Sequence, residues 1–407
     1  MTKQKQTFFS LFVPTRNRPR TLASCLRCLA DIDYDNYEII VMDNHGVDEV
    51  KNVVDSIESD KIKYFRSDKL LPMAENFEAA LSHCSGDYIS GLGDDDGFLP
   101  STLKVMNQVV QDTSAEIIKV RYHQYFWDDS LFESNSNTLY TGTYGTPRWI
   151  PSYDTLKNFY NNNDYSYLPM IYKNFVSKDV IARVKKDHGR YFLHAIPDVD
   201  SGIVNAAYCE RFLDTQLPLA INGDSGKSTG CAHYFRSKGK KRIKEWVNEH
   251  GKKDYGELIH PSLIPSPSVA IAVGDSMVRA KELLFSNDSN INVSIPGLLN
   301  SMMGALTNDP DSYAVNVKDI NALADKYNIP RSSFKIPGKQ EIVNSQNLKR
   351  GRRNKGAIVD PDGKVTVMVD GFVAGIEGVD GAARISEACQ FDMLEVWNQL
   401  KTKAGVC

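Results

Sequence analysis

At 407 residues the chain is longer than one hydrophobic core usually serves, so one large domain with an extension, or two domains, is expected. Its composition is that of an ordinary soluble globular protein, and a net charge of −3 argues against a chain held on nucleic acid by bulk charge. No apolar run approaches the ~20 residues of a membrane-spanning helix, and seven cysteines are too sparse for a disulfide framework and fit a reducing, cytoplasmic compartment.

The first ~125 residues alternate between two patterns. Phe8–Val13, Glu38–Asp43, Lys61–Arg66, Asp87–Leu92 and Glu116–Tyr122 are short and rich in β-branched and aromatic residues, as strands are. Between them Arg20–Ala30, Asp48–Ile57, Met73–Cys84 and Ser101–Gln111 have helical spacing. This alternation predicts a mostly parallel sheet covered by helices on both faces, with ligands outside the carboxyl ends of the strands. Tyr122 to Tyr172 reads as a long loop rich in aromatics, Asn, Ser and Asp, either over a site or simply on the surface. Helices are expected near Ser177–Lys186, Asp198–Tyr208, Lys240–His250, Ser276–Phe285 and Lys318–Tyr327, with a strand at Phe212–Ile221. The tail reads as a β-hairpin, Ala357–Phe372, turning at Asp360-Pro361-Asp362-Gly363, followed by one helix over Ala382–Leu400.

The strongest chemical signal is Asp94-Asp95-Asp96 in "GDYISGLGDDDGFLP". Adjacent carboxylates raise one another's pKa unless positive charge or hydrogen-bond donors compensate them. A divalent cation, which prefers hard oxygen ligands and completes its shell with water and phosphate oxygens, would do so. A solvated turn with Asp94 or Asp96 capping the next helix is the plainer alternative. Placement after the fourth strand, level with Pro14-Thr15-Arg16 after the first and Asp43 at the end of the second, favours the metal. No GxGxxG follows the first strand and no GxxxxGK[ST] occurs, so the common phosphate-binding loops are absent.

Taken together, "SLFVPTRNRPRTLASCLRCL", "YEIIVMDNHG", "LPMAENFEAALSHCSGDYISGLGDDDGFLP" and "IPDVDSGIVNAA" resemble glycosyltransferase family 2, inverting enzymes of GT-A fold, over roughly Phe8 to Gly230. The resemblance implies a nucleoside-diphosphate sugar as donor and Mn2+ or Mg2+ as cofactor. It places Pro14, Thr15 and Arg16 at the donor, with Thr15 against the nucleoside and Asp43 on the base. Asn76 would add a polar donor contact, Asp94 would lie near the ribose or sugar, and Asp95 would bind the metal. Asp96 would either join the metal or cap the helix. Gly93 stands where many relatives have Asp, and Asn44-His45-Gly46 where they have Asp-Gly-Ser, which leaves the nucleobase and the ligand count open. Asp198, in "PDVDS" where relatives have Glu-Asp, would be the base that takes the acceptor's proton, with Asp200 in reserve. Without the family it reads as an N-terminal helix acid.

Other groups are weaker. Ser225, Ser228 and His233 follow an apolar strand, and His233 could complete a metal shell or fill a structural role. Cys25 and Cys28 form a CxxC with no second pair, read as two small residues on a buried helical face. The basic run Lys349, Arg350, Arg352, Arg353, Lys355 could meet phosphate or a membrane, or be solvated. "KGKKRIKEWVNEHGKK" reads as a surface helix rather than a membrane helix.

The expected organisation is a GT-A-like α/β domain over residues 1–235, a helical segment over 236–330 and an α+β appendage over 331–407. The expected activity is metal-dependent inverting transfer to a saccharide or glycolipid hydroxyl in surface polysaccharide synthesis. Its partners are the sugar nucleotide and a saccharide or lipid-linked acceptor, with no nucleic acid. Peripheral contact with the inner face of the membrane and homo-oligomerisation through the C-terminal part complete the expectation. A sugar-nucleotide nucleotidyltransferase and a non-catalytic nucleotide- or sugar-binding protein are the alternatives.

Overall fold

A computed structural model describes residues 6–343, 356–359 and 365–407. Its centre is β1 (Phe9–Thr15), every residue of which is buried. β1 pairs in parallel with β2 (Tyr37–Asp43) on one side and β4 (Tyr88–Gly91) on the other, and β3 (Ile62–Arg66) extends the sheet beyond β2. The chain therefore runs outward from β1 to β3 and then returns to the opposite side of β1. That reversal is a topological switch point, where the helices on either side part and leave a crevice at the strand ends. β4 stops pairing at Phe12, so Pro14 has a strand neighbour on one side only, where its missing N–H is tolerated.

Beyond β4 the sheet is mixed. β9 (Phe175–Ser177) lies antiparallel between β4 and β6 (Ile117–Phe126), while β6 runs parallel to the long β10 (Arg211–Asp224), against which the two-residue β5 (Gly97–Phe98) also pairs. The stretch read from sequence as a loop after Tyr122 contains three strands and a helix. β6 continues to Phe126, β7 (Thr138–Tyr140) and β8 (Arg148–Pro151) pair with β6 and β10, and the helix Ser152–Asn162 follows. These strands are short and partly exposed at the sheet's side, so their apolar alternation is faint in the sequence.

Two cores organise the molecule besides a smaller cluster against β1 and β4. One lies between the sheet and the helices Pro19–Ala30 and Thr102–Thr113. The other gathers the helices Ser152–Asn162, Pro197–Tyr208, Val269–Leu284, Ile295–Ala305 and Tyr313–Lys326.

The tail, expected as an appendage, shares the first core: Val379, Ala382, Met393, Trp397 and Val406 pack with Phe9, Leu11 and Leu103. The arms of the hairpin, β11 (Gly356–Val359) and β12 (Val365–Asp370), pair with each other, and β12 joins β7. The hairpin's turn, Asp360-Pro361-Asp362-Gly363, and the basic run Lys349 to Lys355 lie outside the described residues. The single helix expected over Ala382–Leu400 is two, Val379–Cys389 and Met393–Lys403. The second starts anew because Asp392 accepts from the backbone N–H groups of Leu394 and Glu395, a capping arrangement that stops a helix from running through. Among the described residues no helix is long and apolar enough to cross a membrane.

Candidate active site

Thr15 ends β1 and Asp94 follows β4, so they face each other across the switch point, and Thr15 Oγ1 donates to Asp94 Oδ2 at 2.6 Å. Asp94, Asp95 and Asp96 are all buried, at 2%, 5% and 1% exposure. A plain solvated turn is thereby ruled out. Three buried carboxylates require compensation, and much of it comes from the chain itself.

Arg18, three residues beyond Thr15, puts Nη1 2.8 Å from Asp94 Oδ1 and Nη2 2.6 Å from Asp95 Oδ2. Burial alone would lower the Arg18 pKa; the charges of Asp94 and Asp95 overcome it and raise it. Ser225 Oγ also donates to Asp95 Oδ2 at 2.6 Å, and Trp127 Nε1 donates to the Asp95 carbonyl at 3.1 Å. Gly223 permits this close packing, because a Cβ there would lie 1.6 Å from that carbonyl oxygen.

Asp96 is held differently. It accepts from Gly93 N at 3.0 Å, from Gly223 N at 2.8 Å and from Tyr172 OH, and Lys173 Nζ stands 3.4 Å away. Four donors on two oxygens make it the tie between the acidic turn, β10 and the segment before β9. Burial raises the Asp94 and Asp96 pKa values, opposed by Arg18 and Lys173 respectively.

Asp198 opens the helix Pro197–Tyr208 with Pro197 in its first turn. Its Oδ1 accepts from Val199 N at 2.9 Å, and burial raises its pKa, with the Val199 N–H and the Lys173 charge pulling it back. The Asp198 charge in turn acts on Tyr165, Tyr172 and Tyr234. Asp198 thus interacts electrostatically with Tyr172 and Lys173, the two groups that bond directly to Asp96. Asp200 is fully buried and accepts from Leu193 N and His194 Nδ1 at 2.5 Å each and from His194 N at 3.1 Å, which spends it on the preceding loop.

Asp43, in register with Thr15, is fully buried and accepts from Gly46 N at 2.9 Å and Tyr64 OH at 2.7 Å. Asn76 is 4% exposed; its Nδ2 reaches the Met42 carbonyl at 3.5 Å and its Oδ1 has no partner. Arg16 turns away from the acids to pair with Glu249. His233 Nδ1 meets the Thr229 carbonyl at 2.9 Å, and its ring lies among Trp246 and Tyr255, a packing role in which burial lowers its pKa. Ser228 caps the helix Thr229–Tyr234. Cys25 and Cys28 are buried free thiols, with Cys28 Sγ donating to the Phe98 carbonyl at 3.0 Å; burial pushes both pKa values up, so neither is a ready thiolate ligand.

Among the described residues no cluster of three or more His, Cys, Asp or Glu side chains is arranged to hold a metal ion. A divalent ion that relies on one or two carboxylates and takes its other ligands from water and phosphate does not need one. The donor set fits that case. The hydrogen bonds to the Asp95 carboxylate fall on Oδ2, leaving the Oδ1 lone pairs uncommitted, whereas Asp94 Oδ1 is already met by the Arg18 guanidinium at 2.8 Å. Asp96, engaged by four donors, is the poorer ligand of the pair expected from the sequence.

Residues 10–179 match the family model described as "Glycosyl transferase family 2". This segment belongs to glycosyltransferase family 2. The glycosyltransferase domain is 31% identical over 111 residues to a GalNAc(5)-diNAcBac-PP-undecaprenol beta-1,3-glucosyltransferase of Campylobacter jejuni, covering 26% of this chain and 36% of the relative. It is 24% identical over 174 residues to a dolichyl N-acetyl-alpha-D-glucosaminyl phosphate 3-beta-D-2,3-diacetamido-2,3-dideoxy-beta-D-glucuronosyltransferase of Methanococcus voltae, covering 34% of this chain and 53% of the relative. The chain thus spans between about a third and about half of the length of these relatives. Residues 1–349 of S. aureus TarS, solved with UDP-GlcNAc, align over 88% of this chain and 95% of that one at 14% identity and a TM-score of 0.44. Asp198 lies beyond the matched segment of the glycosyltransferase domain, as do Ser225 and Gly223 of β10 and its following loop.

Sequence reading missed Arg18, Tyr172, Lys173 and Trp127. Arg18 carried a signal: it sits in the same "PTRNRPRT" run as Thr15, and a cation near the acids was already required. Lys173 carried none, since nothing local marks a lysine that will be 6% exposed with a left-handed backbone, φ 61°.

Proposed function

We propose that the protein is a metal-dependent inverting glycosyltransferase that moves a sugar from a nucleoside-diphosphate sugar to a hydroxyl of a saccharide or lipid-linked saccharide in surface glycan assembly. The observation that carries this is the buried acidic turn at the switch point, met by Thr15 and Arg18 from the end of β1, by Tyr172, and by Lys173, whose charge also acts on Asp198. On this reading donor and acceptor chemistry meet beside the acidic turn. The glycolipid substrates in the names of the Campylobacter and Methanococcus relatives support the acceptor class.

Thr15, Asp43, Asn76 and Asp94 surround the donor end of the crevice. Asp95, through its uncommitted Oδ1, with Asp94 beside it, would hold Mn2+ or Mg2+. When bound, such an ion offsets the negative charge of the departing diphosphate. Asp198 accepts the proton of the acceptor hydroxyl as that oxygen attacks the anomeric carbon and the bond from that carbon to the diphosphate oxygen breaks. Attack from the side opposite the leaving group inverts the anomeric centre. Arg18 and Lys173 hold the carboxylates in place, and Asp96 fixes the turn that presents Asp95. The protein acts in the cytoplasm, from the water side of the membrane that carries its acceptor.

The test is a thermal-shift screen of UDP, GDP, dTDP and CMP, each with and without Mn2+, followed by transfer assays with the sugar donor of the nucleotide that binds. Stabilisation by one nucleotide only when Mn2+ is present, and transfer lost in Asp198→Asn, is the expected result. Transfer at the wild-type rate in Asp198→Asn, or no nucleotide response with metal, overturns it.

A further inference from the structure

The Tyr122 ring lies beside Lys173, Tyr165 senses the charges of Asp198 and Tyr122, and Tyr234 senses that of Asp198. Tyr122 lies on β6, Tyr165 in the turn after the helix Ser152–Asn162, and Tyr234 at the end of the helix Thr229–Tyr234. Tyr165 and Tyr234 share a hydroxyl–hydroxyl hydrogen bond of 2.7 Å. Tyr122 is unlike them: β6 is an interior strand, flanked by β7, β9 and β10, yet this side chain is 51% exposed. A single exposed aromatic is ordinary on a surface. Here it stands beside the acidic turn.

Lys173 fixes that location. Its Nζ lies 5.6 Å from the Tyr122 ring centroid, 4.1 Å from that of Tyr172 and 3.4 Å from Asp96 Oδ1. The ammonium also donates to Asn222, two residues beyond the register partner of Tyr122 on β10. With its charge committed to Asp96 and Asn222, Lys173 is poorly placed to recruit a phosphate. What the surface does offer is a half-open aromatic ring polarised by a nearby cation, with a hydroxyl pair in the same neighbourhood. A pyranose has matching chemistry: its axial C–H groups form one apolar, weakly positive face, and its hydroxyls project around the rim. An acyclic polyol has no such rigid face.

We infer, resting on the proposed glycosyl transfer, that Tyr122 is the platform of the acceptor subsite, taking the C–H face of a pyranose ring, with Tyr165 and Tyr234 as its polar wall and Asp198 at the attacking hydroxyl. The acceptor end is therefore a cyclic saccharide.

The experiment is saturation-transfer NMR on the full chain with methyl glucoside, galactoside, N-acetylglucosaminide and N-acetylgalactosaminide as probes and ribitol as the acyclic counterpart. At least one pyranoside is expected to receive saturation at its ring protons, with affinity lowered roughly tenfold in Tyr122→Ala and retained in Tyr122→Trp. Tyr122→Leu, which keeps an apolar side chain on β6 without the ring, is run in parallel and should behave like the alanine variant. Absence of saturation on every pyranoside, equal response from ribitol, or binding indifferent to Tyr122 overturns the subsite. Turnover of Asp198→Asn is recorded separately: full turnover there sinks the base assignment while leaving the platform standing.

Discussion

One guanidinium serves two carboxylates: Arg18 stands 2.8 Å from Asp94 and 2.6 Å from Asp95, all three being largely buried. Arg18→Leu would leave those acids without their protein cation. We expect a loss of about 3–5 kcal/mol, as for a broken buried ion pair, measured by urea unfolding. Mn2+ should raise the Tm of this variant more than that of the wild type, since ion and guanidinium offset the same charge. A variant as stable as its parent would mean the acids are compensated elsewhere.

Asp198 must be ionised to take a proton, and burial raises its pKa. The rate should therefore begin to fall on acidification at a pH above the ordinary carboxylate range. Asp198→Asn should reduce kcat by about a hundredfold to ten-thousandfold with the circular dichroism spectrum unchanged. A pH–rate profile without an acid limb would remove Asp198 from the proton path.

Asp95 and Asp96 should separate cleanly. Asp95→Asn is expected to fold and to lose the Mn2+-dependent thermal shift. Asp96→Ala removes the acceptor of Gly93 N, Gly223 N and Tyr172 OH, and should cost about 3 kcal/mol or more through the donors left unpaired. The reverse pattern, a stable Asp96→Ala that no longer responds to metal, would make Asp96 the ligand.

Asp224 offers a pH test of stability. It accepts from Ser130 Oγ at 2.9 Å and Cys231 Sγ at 3.2 Å, and burial raises its pKa to about 6. An acid whose folded pKa lies above its unfolded value of about 3.9 favours the native state at low pH and loses that contribution as pH rises through the folded value. Asp224→Asn should flatten the dependence of unfolding free energy between about pH 4 and pH 6 and be the more stable form at pH 7. Identical pH profiles for the two proteins would contradict this.

Local pattern was enough for the first half of the fold. β1 to β4 and their helices are fully or partly buried runs with clear periodicity, and their alternation led directly to the switch point where Thr15 meets Asp94. It was not enough where structure depends on distant partners. β9 is three residues long and exists because β4 and β6 leave a gap that it fills. The acids announce a cation, but local sequence points to an external ion, because Arg18 is 76 residues from Asp94 in the chain and adjacent only in space. The helices Val379–Cys389 and Met393–Lys403 read as one because the apolar spacing persists across Gln390–Asp392, although the Asp392 cap was visible as an acid two residues before Leu394.

Trp397 is fully buried against the first core, and its Nε1 donates to Asp112 at 2.8 Å. Trp397→Ala should cost about 3–5 kcal/mol, measured by chemical denaturation, and should lower the unfolding midpoint of everything that shares the first core. A local change that spares the midpoint would mean the tail is separable.

That same packing bears on synthesis. Phe9 leaves the ribosome 397 residues before Val406, yet the two belong to one core. A nascent chain must therefore hold its central strands with part of their covering missing until translation has passed the helix Met393–Lys403, a period in which apolar surface is open to chaperones and to neighbouring chains.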